Sequence, residues 1–419
     1  MSSTYKPTRP PRPSHRAPAR PGRPAAPRAR PARPRSGGPR RPLTNFRIDP
    51  ASPFRHVDVV LLGATLLLVA IGALMVYSVT RGPHPPYRTG DAVRVLLYGA
   101  LGTAGMTAVA LFDYRKLRDF WPFVYGGAML LLLVVLLPGI GSNRKGTQGW
   151  ISLPGFQLQP SELAKVAMIV GFAGLASQFR GDLDLSRIGW LLGICAVPMV
   201  LVLVQPDLGT ALVSVGVTFA LLLVAGVRPR ILGLLALGGA LMVVLVLTSG
   251  ALKDYQVNRL TTYAKQDQEA KTVEEAEIRL NLEKSKQAIG SGGLTGQGLF
   301  NGTLTRTGGV PEQRTDFIFT AVGEQFGLVG CTLVLGLLGV VGWRVWRTAQ
   351  LAGDDLGLFI GTGVVVMLLV QIFENVGMTM GIMPITGIPL PLVSYGGSAL
   401  ISTMLALGLV QSIHMRRFS

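Results

Sequence analysis

Cysteine and histidine are almost missing from this sequence, at two and four among 419 residues. Cys195 and Cys331 each lie inside an apolar run, which suits small buried hydrophobes and excludes a disulfide framework. His15, His56, His84 and His414 lie near the chain ends or in one loop, too scattered for a histidine metal centre. Charge is scarce as well: 15% of residues are charged and 49% hydrophobic. A soluble domain carries about 25% charged residues, so a water-exposed globule is excluded. The net charge of +18 is concentrated at one end, because residues 1–50 hold 13 Lys and Arg against one acid, Asp49. Without that +12, the remaining +6 leaves no basic, aromatic-interleaved domain for nucleic acid.

Residues 1–55 form a Pro/Arg-rich tail with no apolar stretch of signal-peptide type. Such a composition buries no core and predicts a disordered segment with polyproline II character. Its charge suits anionic lipid head groups, at about 1 kcal/mol per basic residue near the surface. Beyond it come apolar runs. A bilayer-crossing helix needs about 20 apolar residues, and ten runs approach that length: 57–79, 93–112, 120–138, 161–178, 187–204, 208–226, 231–250, 316–343, 356–381 and 394–414. The expected fold is therefore all-α, a ten-helix membrane domain over 56–419. Basic residues follow every even-numbered run (Arg115 to Arg118, Arg180 and Arg187, Arg228 and Arg230, Arg344 and Arg347, Arg416 and Arg417). The positive-inside rule then puts both termini in the cytoplasm and the loop 251–315, between the seventh and eighth helices, outside.

That loop is the longest polar segment between apolar runs. Its stretch Glu269 to Gln287 is rich in Ala, Glu, Lys and Leu and predicts a helix with Val273, Ala276 and Leu280 close to one face. The following run Gly290 to Gly298 lacks the Gly-Lys-Ser/Thr of a phosphate loop and predicts a flexible re-entrant turn. Other polar residues cluster at helix starts. Glu162 and Lys165 are i and i+3, so they can pair on one face, and ionisable residues at membrane depth usually face a cavity. Asp207 precedes a helix, where capping explains it better than catalysis. The prolines and glycines of Met383 to Ser398 cannot be one continuous helix, and broken backbone at membrane depth is tolerated only in protein or beside a wet cavity. These residues imply an outward polar cavity with acidic, amide and cationic groups. They do not separate a transporter from an enzyme.

Four motifs carry a resemblance: Gln159-Pro160-Ser161-Glu162-Leu163-Ala164-Lys165, Gln205-Pro206-Asp207-Leu208-Gly209-Thr210, Pro311-Glu312-Gln313-Arg314-Thr315-Asp316-Phe317-Ile318-Phe319, and the run from Glu374 to Ser398. In this order they are similar to the SEDS family (shape, elongation, division, sporulation), over about 55–415. The last motif resembles the elongation branch more than the division branch.

The resemblance implies a ten-span peptidoglycan glycosyltransferase of the cytoplasmic membrane. It would polymerise lipid II on the outer face with inversion at the anomeric carbon, during cell elongation. The partners implied are lipid II, undecaprenyl-diphosphate-linked glycan, a class B penicillin-binding transpeptidase and other elongation-complex membrane proteins. A divalent cation, Mg or Mn, is implied too, although nothing in the residues points to its ligands. Substrate-binding candidates are Glu162, Lys165, Arg314, Asp316, Asn375, Ser394 and Ser398. The family's essential Asp lies in the long outer loop, usually before Pro and a Gly-x-Gly-aromatic turn. Between Tyr255 and Thr315 the only Asp here is Asp267, with no Pro after it. Asp267 is the candidate base and Glu269 the next. Arg314 departs from the His often found at its position and suits diphosphate binding instead. A lipid II transporter and an inactive scaffold for the transpeptidase are the alternatives.

Overall fold

The computed structural model describes residues 56–82, 84–144, 147–179, 183–248 and 272–417. The tail 1–55 and both candidate loop carboxylates, Asp267 and Glu269, lie outside the described residues. The chain is mostly helical. In order come α1 (Val59–Thr80), α2 (Gly90–Leu111), a short 3-10 turn, α3 (Leu117–Val134), strands β1 (Gly141–Arg144), β2 (Thr147–Leu153) and β3 (Phe156–Leu158), α4 (Pro160–Ala176), α5 (Leu185–Val204), α6 (Leu208–Val224), α7 (Pro229–Thr248), α8 (Val273–Ser291), α9 (Thr303–Thr307), α10 (Ile318–Gln350), α11 (Asp355–Met380) and α12 (Gly397–Arg416).

Among the described residues, seven helices are long and apolar enough to cross a membrane: α1, α2, α3 (with the preceding turn), α5, α10, α11 and α12. The fourth and sixth apolar runs form helices α4 and α6 of 17 residues each. At 1.5 Å per residue that is about 25 Å, short of a bilayer core of about 30 Å. Local signals set the helix starts. The carboxylate of Asp58 accepts from the amide of Leu61 at 3.0 Å, Pro160 stands in the first turn of α4, and Asp207 accepts from the amide of Thr210 at 3.0 Å. Helices α4, α11 and α12 make the centre of the bundle, while Leu96, Leu101, Phe123 and Leu130 stay exposed on the rim, as lipid-facing side chains do. Small residues permit the tight crossings: a Cβ at Gly102 would meet the Met404 sulfur, and one at Gly408 the backbone of Met106.

Two features depart from the sequence expectation. Residues 141–158 form an antiparallel three-stranded sheet in the order β1-β2-β3, so the fold is not purely helical. The second is the glycine run, which is a docked segment rather than a free turn. Helix α10 is broken at Gly327, whose φ of 63° and ψ of −156° are open to glycine. The amides of Leu328 and Val329, past the break, donate to the carbonyls of Gly293 and Leu294 at 2.9 and 3.1 Å. The carbonyls of Glu324 and Gln325, before it, accept from the amides of Gln297 and Gly298 at 3.0 Å. The run thus satisfies the backbone that the break exposes. A Cβ at Gly296 would collide with the Gln325 carbonyl.

The helix expected over Glu269 to Gln287 is α8, four residues later at each end. Its burial of Ala288 and the hydrogen bond from Ser285 Oγ to the Thr379 carbonyl (2.7 Å) fix it against α11 and α10. Farther along, Glu324 takes the free amides at the start of α9: its oxygens accept from Leu304 N (2.6 Å), Thr305 N (3.0 Å) and Thr305 Oγ1 (2.6 Å). Much of the expected loop 251–315 is therefore packed structure.

Candidate active site

The starts of α2, α4, α6, α10 and α12 meet at one end of the bundle, and strands β2 and β3 close over them. They enclose a cavity of about 720 Å³. Its polar lining includes Asp91, Arg94, Glu162, Asp207, Arg314 and Asp316, and its apolar lining includes Trp150 and Phe156.

Glu162 and Lys165 form the expected pair at 2.8 Å, each side chain 2% exposed. The hydroxyl of Ser402 also donates to Glu162 at 3.2 Å. Glu374 on α11 is buried, and neither of its oxygens has a hydrogen-bond partner among the described residues. Asp207 is held by its own cap and by its neighbours: Oδ2 accepts from the hydroxyls of Thr210 (2.8 Å) and Ser161 (3.3 Å) and from Gln159 Nε2 (3.4 Å).

Arg314 lines the cavity and donates to Asp91 Oδ2 at 2.7 Å, with its guanidinium 5.4 Å from the Tyr395 ring centroid. Asp316 lines the cavity too. The side-chain amide of Asn375 donates to the carbonyls of Asp316 and Ile388, both at 2.7 Å. One side chain thus staples the start of α10 to the broken segment before α12. Ser394 Oγ accepts from Leu390 N at 2.9 Å. Ser398 Oγ accepts from Gln159 N at 2.9 Å and donates to the Gln157 carbonyl at 2.7 Å. Asn375, Ser394 and Ser398 therefore brace the walls, and the lining residues do not include them. The backbone is strained here as well: Glu312 and Leu392 hold φ of 52° and 65°, values that disfavour a side chain.

Asp91, Arg94, Tyr98 and Tyr395 belong to the cavity but were not singled out by sequence. The available signal was the spacing of Arg88, Asp91 and Arg94 across the start of a helix. A divalent cation on a departing diphosphate is usually held by one or two carboxylates together with the phosphates. Glu162 is committed to Lys165 and Asp207 to its cap, and no group of three metal-ligating side chains converges among the described residues.

The FtsW/RodA/SpoVE cell cycle proteins match residues 58–418. The chain belongs to that family. A protein of Geobacter metallireducens named "Probable peptidoglycan glycosyltransferase FtsW" is 34% identical over 380 residues, covering 89% of this chain and 98% of its own. "Peptidoglycan glycosyltransferase MrdB" of Escherichia coli K12 is 34% identical over 363 residues, covering 86% and 94%. Among solved structures, a chain described under the polymerization and crosslinking of a peptidoglycan synthase complex superposes with a TM-score of 0.72. It is 28% identical and covers 87% of this chain and 99% of that one. Family membership and the seven apolar helices make this a multi-pass membrane protein.

Proposed function

We propose that this protein is a lipid II polymerase working on the outer face of the cytoplasmic membrane, in cell elongation. The observation that carries the reading is the cavity, with carboxylates and arginines at one end of a membrane bundle of this family. The hydroxyl at position 4 of the acceptor sugar attacks the anomeric carbon of the donor sugar. The new glycosidic bond forms as the bond to the diphosphate oxygen breaks, with inversion, and the diphosphate departs with the electron pair. The hydroxyl proton passes to a carboxylate, Asp267 or, second, Glu269. Arg314 offers a forked guanidinium to diphosphate oxygens. No three-residue metal cluster is preformed among the described residues, and no step is routed through a cation.

Ten spans with both termini inside fit the distribution of charge. Arg344 pairs with Asp58, Arg118 with Asp354, and Arg416 donates to the carbonyls of Ala110 and Leu111, all at the end remote from the cavity. That basic end reads as cytoplasmic, leaving the cavity and loop 251–315 outside. A class B penicillin-binding transpeptidase is the proposed partner. A transporter needs ionisable groups reached in turn from both sides, whereas the ionic groups of the basic end are tied in helix-bracing pairs.

Oriented vesicles test this. A cysteine replacing the exposed Thr295 reports by impermeant labelling which side the loop faces. Fluorescent lipid II supplied only to that leaflet is expected to yield glycan polymer. Movement of fluorescent lipid II to the other leaflet without polymer would favour the transporter.

A further inference from the structure

Four buried oxygens on one turn of α11 face no donor. They are Gln371 Oε1, both carboxylate oxygens of Glu374 and Asn375 Oδ1, and none has a hydrogen-bond partner among the described residues. The three side chains are 2%, 1% and 0% exposed. Gln371 stands three positions before Glu374 and four before Asn375, so it neighbours both on the helix surface. The oxygen of Asn375 is fixed in place, because the nitrogen of the same amide donates to the carbonyls of Asp316 and Ile388. All four atoms are acceptors. A buried acceptor without a donor is costly and a buried carboxylate more so, and an ionisable residue at membrane depth marks an ion or proton site.

The protein's own cations are committed elsewhere. Helix α11 packs against α4, α6, α8, α10 and α12. On α4 the one cation is Lys165, bonded to Glu162 at 2.8 Å, and α6 has none. Helices α10 and α12 carry Arg344, Arg347 and Arg416 toward their ends, at the basic end of the bundle. From α8, Lys286 lies against Gly381, which is a further seven positions along the chain from Glu374.

We infer that this turn of α11 binds one sodium ion, held by the Glu374 carboxylate and the amide oxygens of Gln371 and Asn375. Hard cations take their oxygens from carboxylates and amide carbonyls alike. A single carboxylate balances a single positive charge, so a monovalent ion leaves no excess charge in the buried site. A divalent centre would ask for more acidic ligands, and no trio of metal-ligating side chains converges among the described residues. Water would supply hydrogen bonds but leave the carboxylate charge uncompensated. The ion ties Asn375 to Glu374, and the Asn375 amide already holds the Asp316 and Ile388 carbonyls. Asp316 and Ile388 line the cavity, whereas the three ligands do not. Sodium therefore stiffens the cavity wall without touching what the cavity holds.

The measurement is equilibrium binding of radioactive Na+ to the purified full-length protein in nanodiscs, with choline keeping the ionic strength constant. Thermal unfolding is followed in the same salt series. The wild type is expected to bind Na+ saturably and to show a higher Tm as Na+ replaces choline. Glu374→Gln is expected to abolish both the saturable binding and the Na+-dependent rise in Tm. Gln371→Leu keeps the carboxylate and is expected to weaken binding about 10-fold, as loss of one bond to a charged group does. It decides the case if Glu374→Gln fails to fold. Wild-type binding in either variant overturns the inference. So does a wild type whose unfolding ignores Na+ and shifts only with pH, because a proton then neutralises Glu374. Displacement of Na+ by an equal concentration of Mg2+ overturns the assignment to a monovalent ion.

Discussion

Asp267→Asn is expected to abolish visible glycan polymer while the protein still folds and still binds its partner. The reaction needs a carboxylate to take the acceptor proton, and removing a general base costs about 10²–10⁴-fold in rate. Three described carboxylates of the cavity are engaged elsewhere, Glu162 with Lys165, Asp207 with the start of α6 and Asp91 with two arginines, while Glu312 and Asp316 line it as well. The resemblance puts the base in the segment between α7 and α8, where Asp267 is the candidate. Glu269→Gln is expected to be milder. Polymerisation by a purified protein on a gel separates the cases. Normal activity in Asp267→Asn with loss in Glu269→Gln would move the base by two residues. Normal activity in both, and also in Glu274→Gln and Glu275→Gln, would remove it from the loop.

Lys165→Ala is expected to damage the protein more than the joint replacement of Lys165 by Met and Glu162 by Gln. Both partners of the pair are 2% exposed, so the single change leaves an uncompensated buried carboxylate. Breaking such a pair costs about 3–5 kcal/mol, whereas replacing both partners with groups of similar volume is often close to neutral. Thermal unfolding in detergent reads the stability, and the order single worse than double is the expected result. Equal stability of Lys165→Ala and wild type would make the pair incidental.

The parts of this architecture that were legible in the sequence are those set by short-range patterns. Apolar runs gave the helices, the i, i+3 spacing of Glu162 and Lys165 gave their pair, and the Pro/Gly content of Met383 to Ser398 gave a broken segment. What stayed hidden depends on residues far apart in the chain. Arg314 and Asp91 are 223 positions apart, and no local pattern joins them. The glycine run reads as a loose turn until its partner, the break at Gly327, is known. The sheet over residues 141–158 was missed because short strands between long apolar helices read as loop. Asn375, Ser394 and Ser398 were substrate-binding candidates of the resemblance, yet their hydrogen bonds go to backbone, where a broken chain needs them.

The central claim, that this cavity builds glycan strands, is tested most directly by incubating the purified protein with lipid II, alone and with a class B penicillin-binding transpeptidase. The account predicts a ladder of glycan strands on a gel, with released undecaprenyl diphosphate. Lipid II that remains intact under both conditions, with a protein shown to be folded, would contradict it.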